Sequence, residues 1–497
     1  MRHQKTFRSI VSLLIGCVMI GCEGADSRSE DSATSDPIAV RSTVTAEPVV
    51  AQAEQQIVDS DKASTSEVSD GQTIPMRGTE VSWPRLLGSH FDGVAPASQV
   101  SVDWTSPPQV TWTLFVGEGY GLGSVSDQTY YHFDATSSGG RAVQRIRAID
   151  LETGTEDWSA EKPFSYNDLY GYENGPRGTP AIANDRLVSY GVDGELTCRR
   201  RSDGKELWSV STSQTYGVVQ NFFGVGASPL ILDGRVIVTV GGSPPEDQQI
   251  APGRLDRVIS NGSALVAFDL ESGDELWKAG EDLASYSSPR PMMIDGKQAI
   301  LAFCRDHLMA IEPSDGTVLW KFKHRADKLE SVNAMIPIVN NDQVFISECY
   351  DIGSALLKVT QSDASVVWKD ESPSLRDHSM RCHWSTPVLI DGRLYGCSGR
   401  NNPDSDFRCV DLESGKVLWS DGRRRRSSVT QVGDVLLVMG EFGRLQVVRP
   451  NPERFELIAE YDLRDRLTSP SWAAPVVIGN RVLVRGNHRV LCLAFKS

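Results

Sequence analysis

Apolar and polar positions alternate along most of this chain with the two-residue period of half-buried strands, and the alternation breaks at Asp-Gly, Ser-Gly and similar turn pairs. One unit recurs in register: a short apolar strand, an acidic or polar turn, then a tryptophan. Complete copies read RIRAIDLETGTEDW to Trp158, LTCRRRSDGKELW to Trp208, ALVAFDLESGDELW to Trp277, LMAIEPSDGTVLW to Trp320, LLKVTQSDASVVW to Trp368 and FRCVDLESGKVLW to Trp419. An earlier stretch, QVTWTLFVGEG, carries only the last part of the unit, at Trp112. The copies return roughly every 40 to 70 residues, the spacing of propeller blades.

Between tryptophans the same order repeats: a Ser-Pro or Thr-Pro lead-in, an apolar strand, a tight turn, a second apolar strand, a variable loop, and the signature hairpin. The unit GASPLIL, Asp233-Gly234, RVIVTVGG, ALVAFDL, DELWKA shows it clearly and predicts four antiparallel strands. A single sheet of this kind cannot bury both faces, so the units must stack around an axis. The folded part begins with a lone fourth strand at Trp112 and ends with three strands in SWAAPVVIGNRVLVRGNHRVLCLAF. Pairing the two ends completes a blade and removes two open sheet edges. Fourth strands at the seven tryptophans, plus a degenerate one near Glu460, predict an all-β, eight-bladed β-propeller of four-stranded antiparallel blades, with seven blades as the nearest rival.

The repeat resembles that of the pyrroloquinoline-quinone (PQQ)-type propeller family over about Trp83 to Ser497. The resemblance implies that Trp112, Trp158, Trp208, Trp277, Trp320, Trp368 and Trp419 are architectural, docking between adjacent blades where a flat ring fills the wedge left by radial packing.

Residues 1–21 have the layout of a secretory signal: Arg2, Lys5 and Arg8, then the apolar run IVSLLIGCVMI, too short to span a bilayer as a mature helix. The run ends in Met19-Ile20-Gly21-Cys22, which resembles a bacterial lipobox, with Cys22 as the lipidated new N-terminus. Residues 22–82 are rich in Ser, Thr, Ala, Asp and Glu and read as an acidic, disordered tether. The propeller then occupies 83–497. The formal charge of -15 argues against nucleic acid as a general partner. The remaining cysteines have no zinc-like spacing; Cys397 and Cys409 fall on neighbouring strands and would pair only if register aligned them.

In a four-stranded blade the first and third turns share one face, and the second turn and the inter-blade connection share the other. The first set is tight here and the second is long, so the long-loop face is the better candidate for recognition. On it lie Tyr166, Tyr170 and Tyr172, the polar and aromatic group Arg376, His378, Arg381, His383 and Trp384, and the run Arg423, Arg424, Arg425, Arg426. Forked arginine contacts and ring stacking suit an anionic or carbohydrate-like group.

No catalytic residues and no metal site are expected. There is no HExxH, GxSxG or Walker-type loop, and His378 and His383 are five apart without a third ligand. Quinone-dependent dehydrogenases of the resembling family hold PQQ with calcium beside an aspartate base and a disulfide of adjacent cysteines. This chain has no adjacent cysteine pair and no CxxCH haem site. A PQQ-dependent oxidoreductase acting on alcohols or sugars is therefore the alternative, and no cofactor is expected otherwise.

Signal, lipidated cysteine, tether and eight-bladed propeller together also resemble the lipoprotein scaffold of the outer-membrane β-barrel assembly machinery. That resemblance implies a non-catalytic, monomeric scaffold in the cell envelope, anchored by lipid and binding a protein or glycan partner. Glu23, rather than aspartate, follows Cys22, which favours the periplasmic face of the outer membrane. The tether is longer than in that family, and the element WPRLLGSHFDGVAPAS precedes the first strand.

Overall fold

The structure, a computed structural model, describes residues 67–68, 82–96, 101–422 and 426–497. The signal segment, Cys22, most of the acidic tether, and Arg423, Arg424 and Arg425 lie outside the described residues.

Eight sheets form the blades. Blades 1 to 7 are consecutive four-stranded meanders spanning 124–163, 181–211, 230–279, 290–323, 338–369, 388–421 and 427–462. The closing blade joins Val476–Ile478, Arg481–Arg485 and Arg489–Ala494 to Gln109–Phe115 from the start of the propeller, with Gln109 opposite Ala494 and Phe115 opposite Arg489. The eight-bladed expectation and its closure by the two ends both hold. Glu67–Val68, from the stretch read as tether, adds a fifth strand beside Trp112 and Thr113.

Burial follows position within the blade. Middle strands are packed on both faces, as in Leu265–Asp269, and are correspondingly continuous in Val, Ile, Leu and Ala. Outer strands such as Glu156–Pro163 are at most half-buried, at alternate residues, with the residues between them exposed. The first turn of blade 3 places Asp233 and Gly234 at φ 47° and 73°, the left-handed pair that matches strand twist in a two-residue hairpin.

Each tryptophan reaches the next blade rather than its own. Six of the seven indoles donate Nε1–H to a carbonyl at or beside the neighbouring blade's last turn: Trp112 to Leu151, Trp208 to Leu270, Trp277 to Pro313, Trp320 to Thr360, Trp368 to Leu412 and Trp419 to Asn451, at 2.7–3.0 Å. The ring lies flat on that turn, and a Cβ at Gly273 would come within 2.6 Å of Trp208. The glycine in the turn and the tryptophan one blade earlier are therefore two halves of one joint.

This explains the missing tryptophan of blade 7. Register places Ala459, not Glu460, opposite Val447 at the wedge position. The blade that follows is the closing one, whose outer strand arrives from the other end of the chain, so it has no turn to cap. The gap is filled by Tyr461, whose hydroxyl donates to the Trp104 and Ser106 carbonyls, and by Phe495 packed 4.7 Å from Trp104.

A second joint runs around the axis through the lead-in hydroxyls. The Thr179 amide donates to Ser228 Oγ, the Ser228 amide to Ser288 Oγ, and the Ile336 amide to Thr386 Oγ1, at 2.8–3.0 Å. The proline after each hydroxyl has no N–H to satisfy there.

Residues 83–95 cross the channel as a plug. Trp83 bridges Val125 of blade 1, the Pro84 carbonyl accepts from Ile182 of blade 2, Arg290 of blade 4 donates to the His90 and Phe91 carbonyls, and Ala95 donates to Gln431 of blade 7. Trp83 is buried, and so are Leu87 and Phe91. Cys397 faces Phe407 and Cys409 faces Tyr395, so the two sulfurs are not cross-strand partners, and all seven described cysteines are free and buried.

Trp277→Ala removes a buried ring and the Pro313 joint and is expected to cost about 3–5 kcal/mol in denaturant unfolding. Ala459→Trp, which supplies the consensus residue where no turn awaits it, should destabilise as well.

Candidate functional site

The plug closes one end of the channel and leaves a cup of about 260 Å³ toward the long-loop face. Its floor is Trp83, Leu86 and Leu87 of the plug, with Val332, Ile336, Val429 and Val476 above. Its wall has an eightfold origin. In six blades a proline immediately precedes the first strand, and the residue three places before it lines the cup: Arg177, Gly226, Tyr286, Ala334, Trp384 and Trp472. In blades 1 and 7, which lack the proline, counting back from the first turn gives Tyr120 and Arg426, which also line it.

From blade 6 through blade 2 these positions form an arc of rings and guanidiniums, in the order Trp384, Arg426, Trp472, Tyr120 and Arg177. Arg426 lies 4.9 Å from the Trp384 ring centroid and 5.4 Å from that of Trp472. Trp472 packs on Tyr120 at 4.6 Å, and Arg177 follows, 5.6 Å over Tyr120 and 5.7 Å over Tyr166. Gly226 leaves room for Tyr286; the rings of Phe223 and Tyr286 are 5.6 Å apart, and those of Tyr172 and Phe223 5.5 Å.

Two buried carboxylates hold this arc. Asp168 anchors the connection between blades 1 and 2: it accepts from the Tyr166 hydroxyl, the Tyr170 and Tyr172 amides and Arg177, at 2.8–3.2 Å. Further along the same arc Glu441 pairs with Arg426 and accepts the Trp472 indole N–H at 2.8 Å. Both arginines of the cup are thus already neutralised.

The structure divides the residues singled out from sequence. Tyr172, His383, Trp384 and Arg426 line the cup. Tyr166 stands behind it against Arg177, and Tyr170 lies on the rim, 47% exposed, packed on Phe222 and Phe223. Arg376 is exposed. His378 and Arg381 are turned inward as supports: His378 Nε2 bonds the Ser372 carbonyl, and Arg381 pairs with Asp404 at 3.1 Å. Tyr120, Arg177, Phe223, Tyr286 and Trp472 were not singled out from sequence, and neither were the two carboxylates.

No carboxylate lines the cup, and among the described residues no three His, Cys, Asp or Glu side chains converge as a metal site. With both guanidiniums paired as well, this donor set does not fit a metal-bound, carboxylate-bearing quinone.

Taken together, fold and site define an eight-bladed propeller with a plugged axis and an aromatic cup on its long-loop face. The family model described as "Outer membrane protein assembly factor BamB" matches residues 142–421, and the chain belongs to that family. Two rickettsial relatives, the uncharacterized proteins RP232 of Rickettsia prowazekii and RC0314 of Rickettsia conorii, are 22% and 20% identical, over 67% and 68% of this chain and 75% and 76% of their own length. BamB from Moraxella catarrhalis superposes with a TM-score of 0.50 at 13% identity, covering 78% of this chain and all of that one. A europium-containing methanol dehydrogenase superposes at 0.60 and 12%, over 84% and 98%.

Beside the cup, Glu173 is 13% exposed; Oε2 accepts the Gly119 amide at 2.6 Å and Oε1 has no hydrogen-bond partner. Burial raises its pKa to about 7, with Glu118 adding to the shift and the Gly119 amide, Arg485 and Arg177 opposing it. Between the ordinary value of 4.5 and about 7 the folded chain binds more protons than the unfolded one, so this group's contribution to stability falls as pH rises. Glu173→Gln should remove that loss, about 3 kcal/mol at most, leaving the variant more stable than the parent near pH 8 and nearly equal near pH 4 in chemical unfolding.

Proposed function

We propose that this chain is a non-catalytic scaffold of the bacterial cell envelope that captures a protein partner on its long-loop face and serves the assembly of outer-membrane proteins. The observation that carries this reading is the rim of the cup. Leu169, Tyr170 and Tyr172 are 38%, 47% and 43% exposed, on a loop that Asp168 holds in one conformation. They continue into Phe222 and Phe223 and toward the blade 3 insertion, where Gly253 lies against Leu169 and Phe222. Exposed aromatics on a rigid support are what energetic centres of protein interfaces consist of, because little side-chain freedom remains to be lost on binding.

Family membership supports the envelope and assembly parts of the reading. A lipid anchor at Cys22 on the periplasmic face of the outer membrane, a monomeric state and independence from any cofactor belong to the same proposal. A scaffold needs only stiffness and a surface, which the joints between blades and the rim of the cup supply.

In a host strain lacking the gene, the content of outer-membrane barrel proteins should fall at least about twofold. Complementation should fail with Leu169→Asp and Tyr170→Asp combined, succeed with Arg186→Ala on the tight-turn face, and fail with Cys22→Ser. An unchanged barrel content in the deletion strain would refute the assembly role; rescue by the rim variant would refute the surface.

A further inference from the structure

The rings of the rim and the rings of the cup form one surface. Tyr172 packs on Trp472 at 6.0 Å, Trp472 on Trp384 at 5.1 Å and Trp384 on His383 at 4.9 Å. His383 lies 6.1 Å from Tyr350, which shares a buried cluster with Phe222, and Phe223 leads back to Tyr172. These rings make a collar around a hollow of about 260 Å³, floored by Trp83 and Leu87. That volume is just below the range of drug-sized sites and suits one large side chain. Arg177 and Arg426 in the wall are neutralised by Asp168 and Glu441, so the hollow takes an uncharged group. Among uncharged side chains an aromatic one gains most, because ring-on-ring contact adds to what its buried area contributes.

The outer edge of the collar is charged. Arg400 and Glu330 are both exposed, and neither has an ion-pair partner among the described residues. Arg400 stands 4.7 Å over the Tyr350 ring, and Glu330 lies two residues before Val332 of the lining. They take different sides. Burial raises the pKa of Tyr170, Glu330 adds to the rise, and Arg400 opposes it more weakly than Glu330 adds. At Tyr350 burial again raises the pKa, with Cys349 next, and here Arg400 outweighs Glu330. The mouth therefore presents a positive charge on its Tyr350 side and a negative one toward Tyr170.

We infer that the protein partner docks by inserting one aromatic side chain into the cup, from a segment that carries an acidic residue toward Arg400 and a basic residue toward Glu330. This rests on the reading of the long-loop face as the surface that captures a protein, and it names the contact at the centre of that surface. The collar supplies the packing of an interface centre, and the two charges set the register of the segment that crosses it.

The test measures binding of labelled, end-blocked pentapeptides to the purified protein by fluorescence anisotropy. The probes are Lys-Gly-Trp-Gly-Asp and its reversed sequence, the same two with alanine for tryptophan, and two tryptophan peptides with Asp or Lys at both ends. The better mixed-charge tryptophan peptide should bind with a Kd of about 10 μM to 1 mM. Its alanine counterpart should bind at least about tenfold more weakly, and the doubly acidic and doubly basic peptides about threefold more weakly. Ala334→Trp fills the cup from its wall and should weaken binding about tenfold or more. Arg400→Glu, at an exposed position, makes both mouth charges negative and should turn the preference to the doubly basic peptide.

The inference is overturned by absence of binding to every tryptophan peptide, by equal binding of tryptophan and alanine peptides, by undiminished binding to a folded Ala334→Trp protein, or by an unchanged charge preference in Arg400→Glu. Displacement of the best peptide by chitotriose at a lower concentration than by the unlabelled peptide would overturn it in favour of a sugar site. In the deletion strain, complementation by both Ala334→Trp and Arg400→Glu where the rim variant fails would refute insertion and leave the scaffold reading intact. Normal barrel content in that strain would refute the assembly role and leave insertion standing on the peptide selectivity.

Discussion

Ring closure is the constraint on which the rest depends. Seven of the eight interfaces between blades carry an indole laid on the next blade's turn, and the eighth, between blade 7 and the closing blade, does not. The two ends of the chain meet inside that closing blade, through ladder hydrogen bonds between Gln109–Phe115 and Arg489–Ala494. The side-chain joint at the eighth interface had to be rebuilt, since a blade assembled from both ends has no turn to receive a tryptophan. Tyr461, Trp104 and Phe495 do this with rings and a hydroxyl aimed at chain carbonyls. The departure of blade 7 from its own repeat is thus a consequence of topology.

Closure also creates the site. Once eight first strands face a common axis, the residue that precedes each of them is brought within reach of its counterparts, although neighbours in the ring are separated by tens of residues in sequence. A central channel would leave those positions wet and independent. The plug prevents this by covering one end with Trp83 and Leu87, so that the other end becomes a shallow cup with an apolar floor. Guanidiniums buried in such a wall would be costly unless paired, and the pairing by Asp168 and Glu441 also fixes which way the neighbouring rings stand. The same carboxylates that offset burial of charge therefore set the geometry of recognition.

The fold was readable because its joints are local in sequence: turn, glycine and tryptophan recur in register, and each copy reports one blade. Blade number and closure followed from counting them. The site was readable only where it happened to be contiguous. His383 and Trp384 adjoin each other and lie in the cup, whereas His378 and Arg381, from the same segment, point into the support beneath it. Polarity and proximity along the chain cannot separate those two fates, because both suit an exposed loop equally well. Tyr120, Arg177, Tyr286 and Trp472 were passed over since each is one residue from a different blade. The signal was present in another form: read as columns of the repeat, three places before the proline, they make one position occupied mostly by Tyr, Trp and Arg. A column in a propeller is a ring in space, and it carries information that a row does not.

The column also shows how such a scaffold diverges. Positions in the indole joints are constrained by the blade that follows, so a change there is felt as lost stability. Positions in the cup column face the axis and their ring neighbours, and Gly226 and Ala334 show that a blade tolerates no side chain, or only a methyl group, there. At Gly226 the vacancy is used: a Cβ would lie 2.8 Å from Tyr286, so the small residue is what lets that tyrosine stand against the wall. Small and large members of the column are therefore coupled in pairs. Enlarging one should displace its neighbour before it touches the fold, so the lining of the cup can change in shape and chemistry while closure, plug and joints remain as they are.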